Sequence, residues 1–98
     1  MTEIRLTNAS VLFDLTAADL VLFDRYEAAV LALLPDHGAT LEMRVRAVDA
    51  SAETHLLRFP SQARFDAFIA DPRRLSMART WSASGAKAQR WEVSQMAD

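Results

Sequence analysis

Four arginines, Arg44, Arg46, Arg58 and Arg90, are the side chains in this sequence best suited to grip a ligand. Three of them lie in the stretch from Ala39 to Ser61, two alternating runs about a polar turn, Asp49 to Glu53. That pattern predicts a β-hairpin of the longer-loop kind. With Val48 opposite Thr54, alternation sends Leu41, Met43, Val45, Ala47, Leu57 and Phe59 to one face, with His55 near the turn. It sends Glu42, Arg44, Arg46, Val48, Thr54, Leu56 and Arg58 to the other. The first face reads as core, the second as a cationic surface with apolar residues among the charges. A guanidinium is a planar fork that meets a carboxylate in two places. The group therefore admits two uses. One is an anion pocket for a small organic acid. The other, favoured because Asp14, Glu42 and Glu92 share the predicted face, is an ion-pair seam with no ligand.

His55 reads first as a satisfied or rim residue, because no acidic neighbour is placed to orient it, and only second as a general base. His37 follows the first predicted helix, where it can meet the negative helix end. Two separated histidines without cysteine give no metal-ligand spacing, and no loop gathers the carboxylates, so no metal is expected. Tyr26, Trp81 and Trp91 read mainly as core aromatics whose polar atoms need partners. Gly38 and Gly85 are the only glycines, too few for a phosphate-cradling loop. The serines lack the context of a nucleophile elbow. The basic piece Pro72 to Arg79 is too short for a DNA-reading helix and reads as a solvated face.

Certain elements must hold these groups. Val11, Phe13 and Leu15 alternate with Ser10, Leu12 and Asp14 in a first strand opening near Ile4, with a bulge near Asn8 as one way to reconcile Ile4 and Leu6. Thr16 to Asp19 matches a capping box for a helix over Ala17–Leu34, with Leu20, Phe23, Val30 and Leu34 on its apolar stripe and Asp24, Arg25 and Glu27 on its polar side. The run Ala28 to Leu34 is apolar nearly all round, which predicts burial on two sides. Gly38 ends it. Ser61 caps a helix carrying Phe65, Phe68 and Ile69, and Asp71-Pro72 breaks that helix and starts another turn or two. Ser82 to Gly85 is predicted as loop and Ala86 to Val93 as the last strand. The order strand, helix, strand, strand, helix, strand implies a ferredoxin-like α+β fold. The first and third strands are central in a four-stranded antiparallel sheet with helices on one face. The helix-free face then carries Leu12, Asp14, Glu42, Arg44, Arg46, Val48, Leu56, Arg58, Arg90 and Glu92.

The chain has 98 residues, 51% hydrophobic and 24% charged, with net charge −2 and no cysteine. One domain over residues 1–98 is expected, without disulfides or thiol chemistry. The acidic balance argues against nucleic acid or anionic lipid as partner. The longest apolar run, Ala28 to Pro35, is too short to span a bilayer. The N-terminus lacks the pattern of a signal peptide, so a cytoplasmic home is expected.

Several local motifs carry a resemblance. They are Phe23-Asp24-Arg25-Tyr26, His37-Gly38, Leu57-Arg58-Phe59-Pro60-Ser61, and Phe65-Asp66-Ala67-Phe68 followed by Asp71-Pro72. Over roughly residues 10–94 the chain resembles the dimeric alpha–beta barrel superfamily that includes the antibiotic-biosynthesis monooxygenases, and within it a bacterial family of unknown function. The resemblance implies a homodimer whose two sheets meet face to face with helices outside. It also implies a substrate cleft between helices and sheet that Tyr26, His55 and Trp81 would border. Haem-degrading relatives use a histidine late in the chain; none follows His55 here, so no haem or other cofactor is expected. The functional expectation is a small dimeric domain that binds a small organic molecule or serves as an interaction module. The enzyme alternative is a cofactor-free monooxygenase or isomerase.

Overall fold

The computed structural model describes residues 7–94 and Met96. Strand β1 (Thr7–Asp14) buries Thr7, Ala9, Val11 and Phe13 and exposes Leu12 and Asp14, the alternation of a strand covered on one side. It pairs antiparallel with β3 (Ala52–Phe59) and with β4 (Lys87–Val93), while β2 (Thr40–Arg46) pairs with β3. The order β2-β3-β1-β4 leaves β1 and β3 central, as expected. The pairing of β1 runs unbroken from Thr7, with no bulge at Asn8; Ile4 and Leu6 lie outside the described residues.

Helices cover one face. Phe23, Tyr26 and Val30 of α1 (Leu20–Leu31) and Phe68 of α2 (Gln62–Ile69) join Val11, Phe13, Leu57 and Phe59 in a single core. Aromatic edges lock it: the Phe13 ring lies 5.2 Å from Phe23 and 5.9 Å from Trp81, and Phe59 lies 5.1 Å from Phe65. Short α3 (Pro72–Leu75) and α4 (Ala78–Ser84) complete the layer. No helix among the described residues is long and apolar enough to cross a membrane.

Local chemistry explains most boundaries. Ser61 Oγ accepts from the Arg64 amide at 3.1 Å, capping α2, and Asp71 Oδ1 accepts from the Arg73 amide at 2.8 Å, capping α3. Gly38 takes the left-handed conformation at φ 67°. Gly85, at φ 75°, ends α4 where an added Cβ would stand 2.8 Å from the Ala17 carbonyl oxygen, so the loop predicted from Ser82 is helix up to this glycine. Two expectations for α1 change. Thr16 is not the cap, because Asp14 Oδ1 captures both its hydroxyl and its amide; Asp19 caps instead, accepting from Val21 and Leu22. The helix stops at Leu31 rather than Leu34, since Pro35 disfavours helix before it, and Leu34–His37 tightens into a 3-10 turn.

The hairpin differs most. Arg46 pairs with Glu53, Val45 with Thr54, Arg44 with His55 and Met43 with Leu56. The Ala47 amide donates to the Ala52 carbonyl, so the turn is the four residues Val48 to Ser51. Asp49 accepts from the Ser51 amide and hydroxyl, and Ala50 takes φ 63°. Val48 therefore projects from the tip instead of facing Thr54. Relative to the expected pairing the strand slips by three residues, an odd number, and every side chain from Met43 to Arg46 changes face. A bulge between Leu41 and Met43 returns Leu41 to the helix side, opposite Leu57.

The last strand is inverted as well. Val11 faces Arg90 and Ser10 faces Trp91, so Arg90 and Glu92 lie on the helix side and Trp91 on the bare side. Of the four arginines predicted on the helix-free face, only Arg58 is there. Trp91 is no core aromatic; it is 49% exposed.

Candidate functional site

The helix side of the sheet holds a cleft of about 630 Å³ beneath the helices. Val11, Phe13 and Leu57 form its floor, Phe65, Phe68 and Trp81 its walls, and Tyr26, Glu27, His55, Arg74 and Arg90 its polar lining. The three side chains expected to border such a cleft, Tyr26, His55 and Trp81, all do. The Tyr26 and Trp81 rings lie 5.0 Å apart, and the His55 ring lies 5.0 Å from Phe13.

His55 has the acidic neighbours that the expected register denied it. Its Nε2 lies 2.6 Å from Glu53 Oε2 and its Nδ1 lies 3.5 Å from Glu27 Oε2; all three residues are at most 3% exposed. Glu53 also accepts from Arg44 Nε at 3.2 Å and Arg46 Nε at 2.8 Å, and Arg46 reaches on to Asp24 of α1. Burial pushes Glu53 upward, but the bonds from His55 and Arg46 and the charge of Arg44 outweigh it and hold the carboxyl below its ordinary range. Burial lowers His55; the bond to Glu53 opposes this, and Arg44 and Arg46 reinforce it. An ionised Glu53 beside a neutral imidazole requires the proton on Nε2, which leaves the Nδ1 lone pair facing Glu27. Burial, with the negative charge of Glu53 adding, raises Glu27 to about 7 against the pull of Arg44. Glu27 therefore exchanges its proton near neutrality, beside an imidazole that can accept one.

That raised carboxyl has a consequence for stability. The unfolded chain releases the Glu27 proton near 4.5, while the folded chain keeps it to about 7. Stability present below pH 4.5 is thus lost as the pH rises through 7, by about 3 kcal/mol in all. Glu27→Gln, neutral at every pH, is expected to gain on the parent by roughly 2–3 kcal/mol between pH 5 and pH 8. Urea unfolding of both proteins at the two pH values measures the gain. A difference that does not change with pH contradicts the assignment.

Glu27 was expected on the polar side of its helix. Yet Leu20, Phe23, Val30 and Leu34 leave one place vacant in their three-and-four spacing, and Glu27 fills it. Glu53 was assigned to the turn; as a strand residue it sits two positions from His55, on the same face. Glu27, Glu53 and His55 offer ligand atoms all within 4.8 Å of one another, a grouping that sequence spacing did not reveal. Two guanidinium groups already bind Glu53 and His55 bonds to it directly, an electropositive surrounding that disfavours a cation there.

The predicted ligand arginines separate. Arg44 and Arg46 stand behind Glu53, Arg46 with its guanidinium 5.8 Å from the Phe23 ring, while Arg58 pairs with Glu42 at 3.3 Å on the opposite face of the sheet. Arg90 alone lines the cleft, its guanidinium 5.2 Å from the Phe65 ring. Arg74, which the sequence reading left as part of a solvated face, joins it. Its guanidinium lies 5.8 Å from the Phe68 ring, and Nη1 donates to the Ile69 carbonyl. Its Nε is buried with no partner among the described residues, which costs about 1–3 kcal/mol if nothing accepts from it. His37 lies apart. It meets the Asp71 carboxylate at 2.7 Å instead of the carbonyl end of α1, and Arg73 bonds, with His37 adding, hold Asp71 well below the usual carboxylate range.

The sequence matches no family model and no curated protein. Solved structures do resemble the fold. SnoaB, a cofactor-independent oxygenase from Streptomyces nogalater, is 18% identical, with a TM-score of 0.69 over 95% of this chain and 95% of that one. PA3566 from Pseudomonas aeruginosa is 10% identical, with a TM-score of 0.68 over 96% of this chain and 100% of that one. Rv0793 from Mycobacterium tuberculosis is 10% identical, with a TM-score of 0.64 over 94% and 97%. At these identities the likeness is one of fold alone, the ferredoxin-like α+β fold expected from the sequence.

Proposed function

We propose that this chain forms a homodimer through its helix-free sheet face and binds a small, flat organic molecule in the cleft beneath its helices. The cleft carries the reading. Its volume of about 630 Å³ falls within the range of ligand pockets, roughly 300–1,000 Å³, and its aromatic walls converge on a few polar groups.

The relay behind the cleft favours a second reading, a cofactor-free oxygenase or isomerase. Glu27 or the Nδ1 of His55 would take a proton from a C–H or O–H of the bound molecule, and the Glu53 anion would stabilise the imidazolium. The resulting substrate anion could be reprotonated at another carbon, or meet dioxygen. SnoaB, a cofactor-independent oxygenase of the same fold, agrees with this chemistry.

One experiment addresses both. A thermal-shift screen of aromatic acids, phenols and quinols is expected to yield compounds that raise the melting temperature by several degrees. Ala78→Trp, which fills the cleft from α4, is expected to abolish the shift. Compounds that stabilise parent and variant alike would place binding elsewhere. For a compound that binds, exchange of its acidic C–H with D₂O, or oxygen uptake, lost in His55→Gln, marks an enzyme; binding without either marks a receptor.

A further inference from the structure

We propose that Arg74 and Arg90 form an anion-recognising end of this cleft, so that its ligand is an aromatic carboxylic acid bound as the carboxylate. The inference rests on the cleft reading above and adds the ligand's class. Both side chains line the cleft. Among the described residues Arg44, Arg46, Arg58 and Arg73 each meet a carboxylate, whereas Arg74 and Arg90 meet none. Their guanidinium groups rest instead on the Phe65 and Phe68 rings, which are themselves cleft walls.

The buried Nε of Arg74 has no acceptor among the described residues, and its guanidinium, bonded there only through Nη1 to the Ile69 carbonyl, keeps N–H groups for a carboxylate in the cleft it lines. Tyr26 lines the same cleft as both arginines. Burial raises the Tyr26 hydroxyl, and the charges of both Arg74 and Arg90 oppose that rise. The Glu27 carboxyl lines the same cleft, but it is only partly ionised near neutrality and so only partly offsets two permanent cations. The walls of phenylalanine and tryptophan select the flat apolar body, and the arginine pair selects the charge. A carboxylate anchored there leaves the rest of the ligand extending toward His55 and Glu27.

Matched probes, 2-naphthoate and its neutral isostere 2-naphthamide, test this by calorimetry at pH 7.5. Charge-assisted bonds from two guanidiniums should make the acid bind roughly 10- to 100-fold tighter than the amide. Arg74→Gln and Arg90→Gln should each cut that preference severalfold, the pair should erase it, and amide affinity should hardly change. Arg90→Lys, which keeps the charge, should retain part of the preference and guards against loss through misfolding. Equal affinity of the two probes in the parent, or a preference that survives the double substitution, overturns the anion site while leaving the cleft as a ligand site. If neither probe binds and the thermal-shift screen also finds no cleft ligand, the cleft reading falls and this inference with it.

Discussion

Replacing Glu53 with alanine is expected to lower the melting temperature of this domain by roughly 10–20 °C. Three groups depend on that one carboxylate: Arg44 Nε, Arg46 Nε and His55 Nε2 all donate to it. His55 is 2% exposed, so its N–H, once orphaned, has no water to turn to. Removing one member of a fully buried ion pair costs about 3–5 kcal/mol. Arg44 and Arg46 are 40% and 30% exposed and can regain part of their hydration, which brings the expected loss to about 2–4 kcal/mol. In a domain of this size each kcal/mol moves the melting temperature by about 4–8 °C. Glu53→Gln keeps the shape and one acceptor oxygen, and should fall between parent and alanine variant. Calorimetric melting of the three proteins decides the matter. A loss below about 3 °C for the alanine variant would mean that the guanidiniums and the imidazole find other partners, and that Glu53 does not organise the site.

The same carboxylate shows why the site was harder to read from sequence than the fold. Topology followed from features with one structural meaning. Asp71-Pro72 stops a helix and starts another, Ser61 caps, Gly38 turns the chain, and the spacing of Phe65, Phe68 and Ile69 fits only a helix. Strand β2 offered no such anchor. Leu41, Met43 and Val45 alternate with Glu42, Arg44 and Arg46, a pattern that fits either orientation when one face is core and the other is apolar enough for a partner. What fixes the register is an alanine, Ala50, in a left-handed turn conformation that alanine seldom adopts, together with a bulge at Glu42. Neither leaves a mark on composition or periodicity. Once Glu53 is moved from the turn into the strand, its place beside His55 on one face follows from alternation alone.

The corrected register sharpens the expectation of a dimer and leads to the second large effect. The helix-free face presents Leu12, Met43, Val45 and Trp91, each 42–50% exposed, around Leu56 at the centre of the sheet. Arg44, Arg46 and Arg90 have left it, so the face is more apolar than the sequence suggested. An apolar patch continuous across four strands is typical of a surface that another chain covers. Leu12 lies on central β1, paired with Thr54 on one side and Gln89 on the other. Leu12→Arg would place an unpaired guanidinium in the middle of the proposed seam, a desolvation cost of several kcal/mol for each copy. The dimer dissociation constant is therefore expected to rise at least about a hundredfold, giving a monomer at micromolar concentration. Ser82→Arg on α4 adds the same charge away from the sheet and should leave the assembly intact. Sedimentation velocity reads the mass, circular dichroism confirms that the variant remains folded, and emission from Trp91 should shift red as the seam opens. A parent protein that sediments as a monomer at about 100 µM, or a Leu12→Arg variant as dimeric as its parent, would leave this face without the partner argued for it.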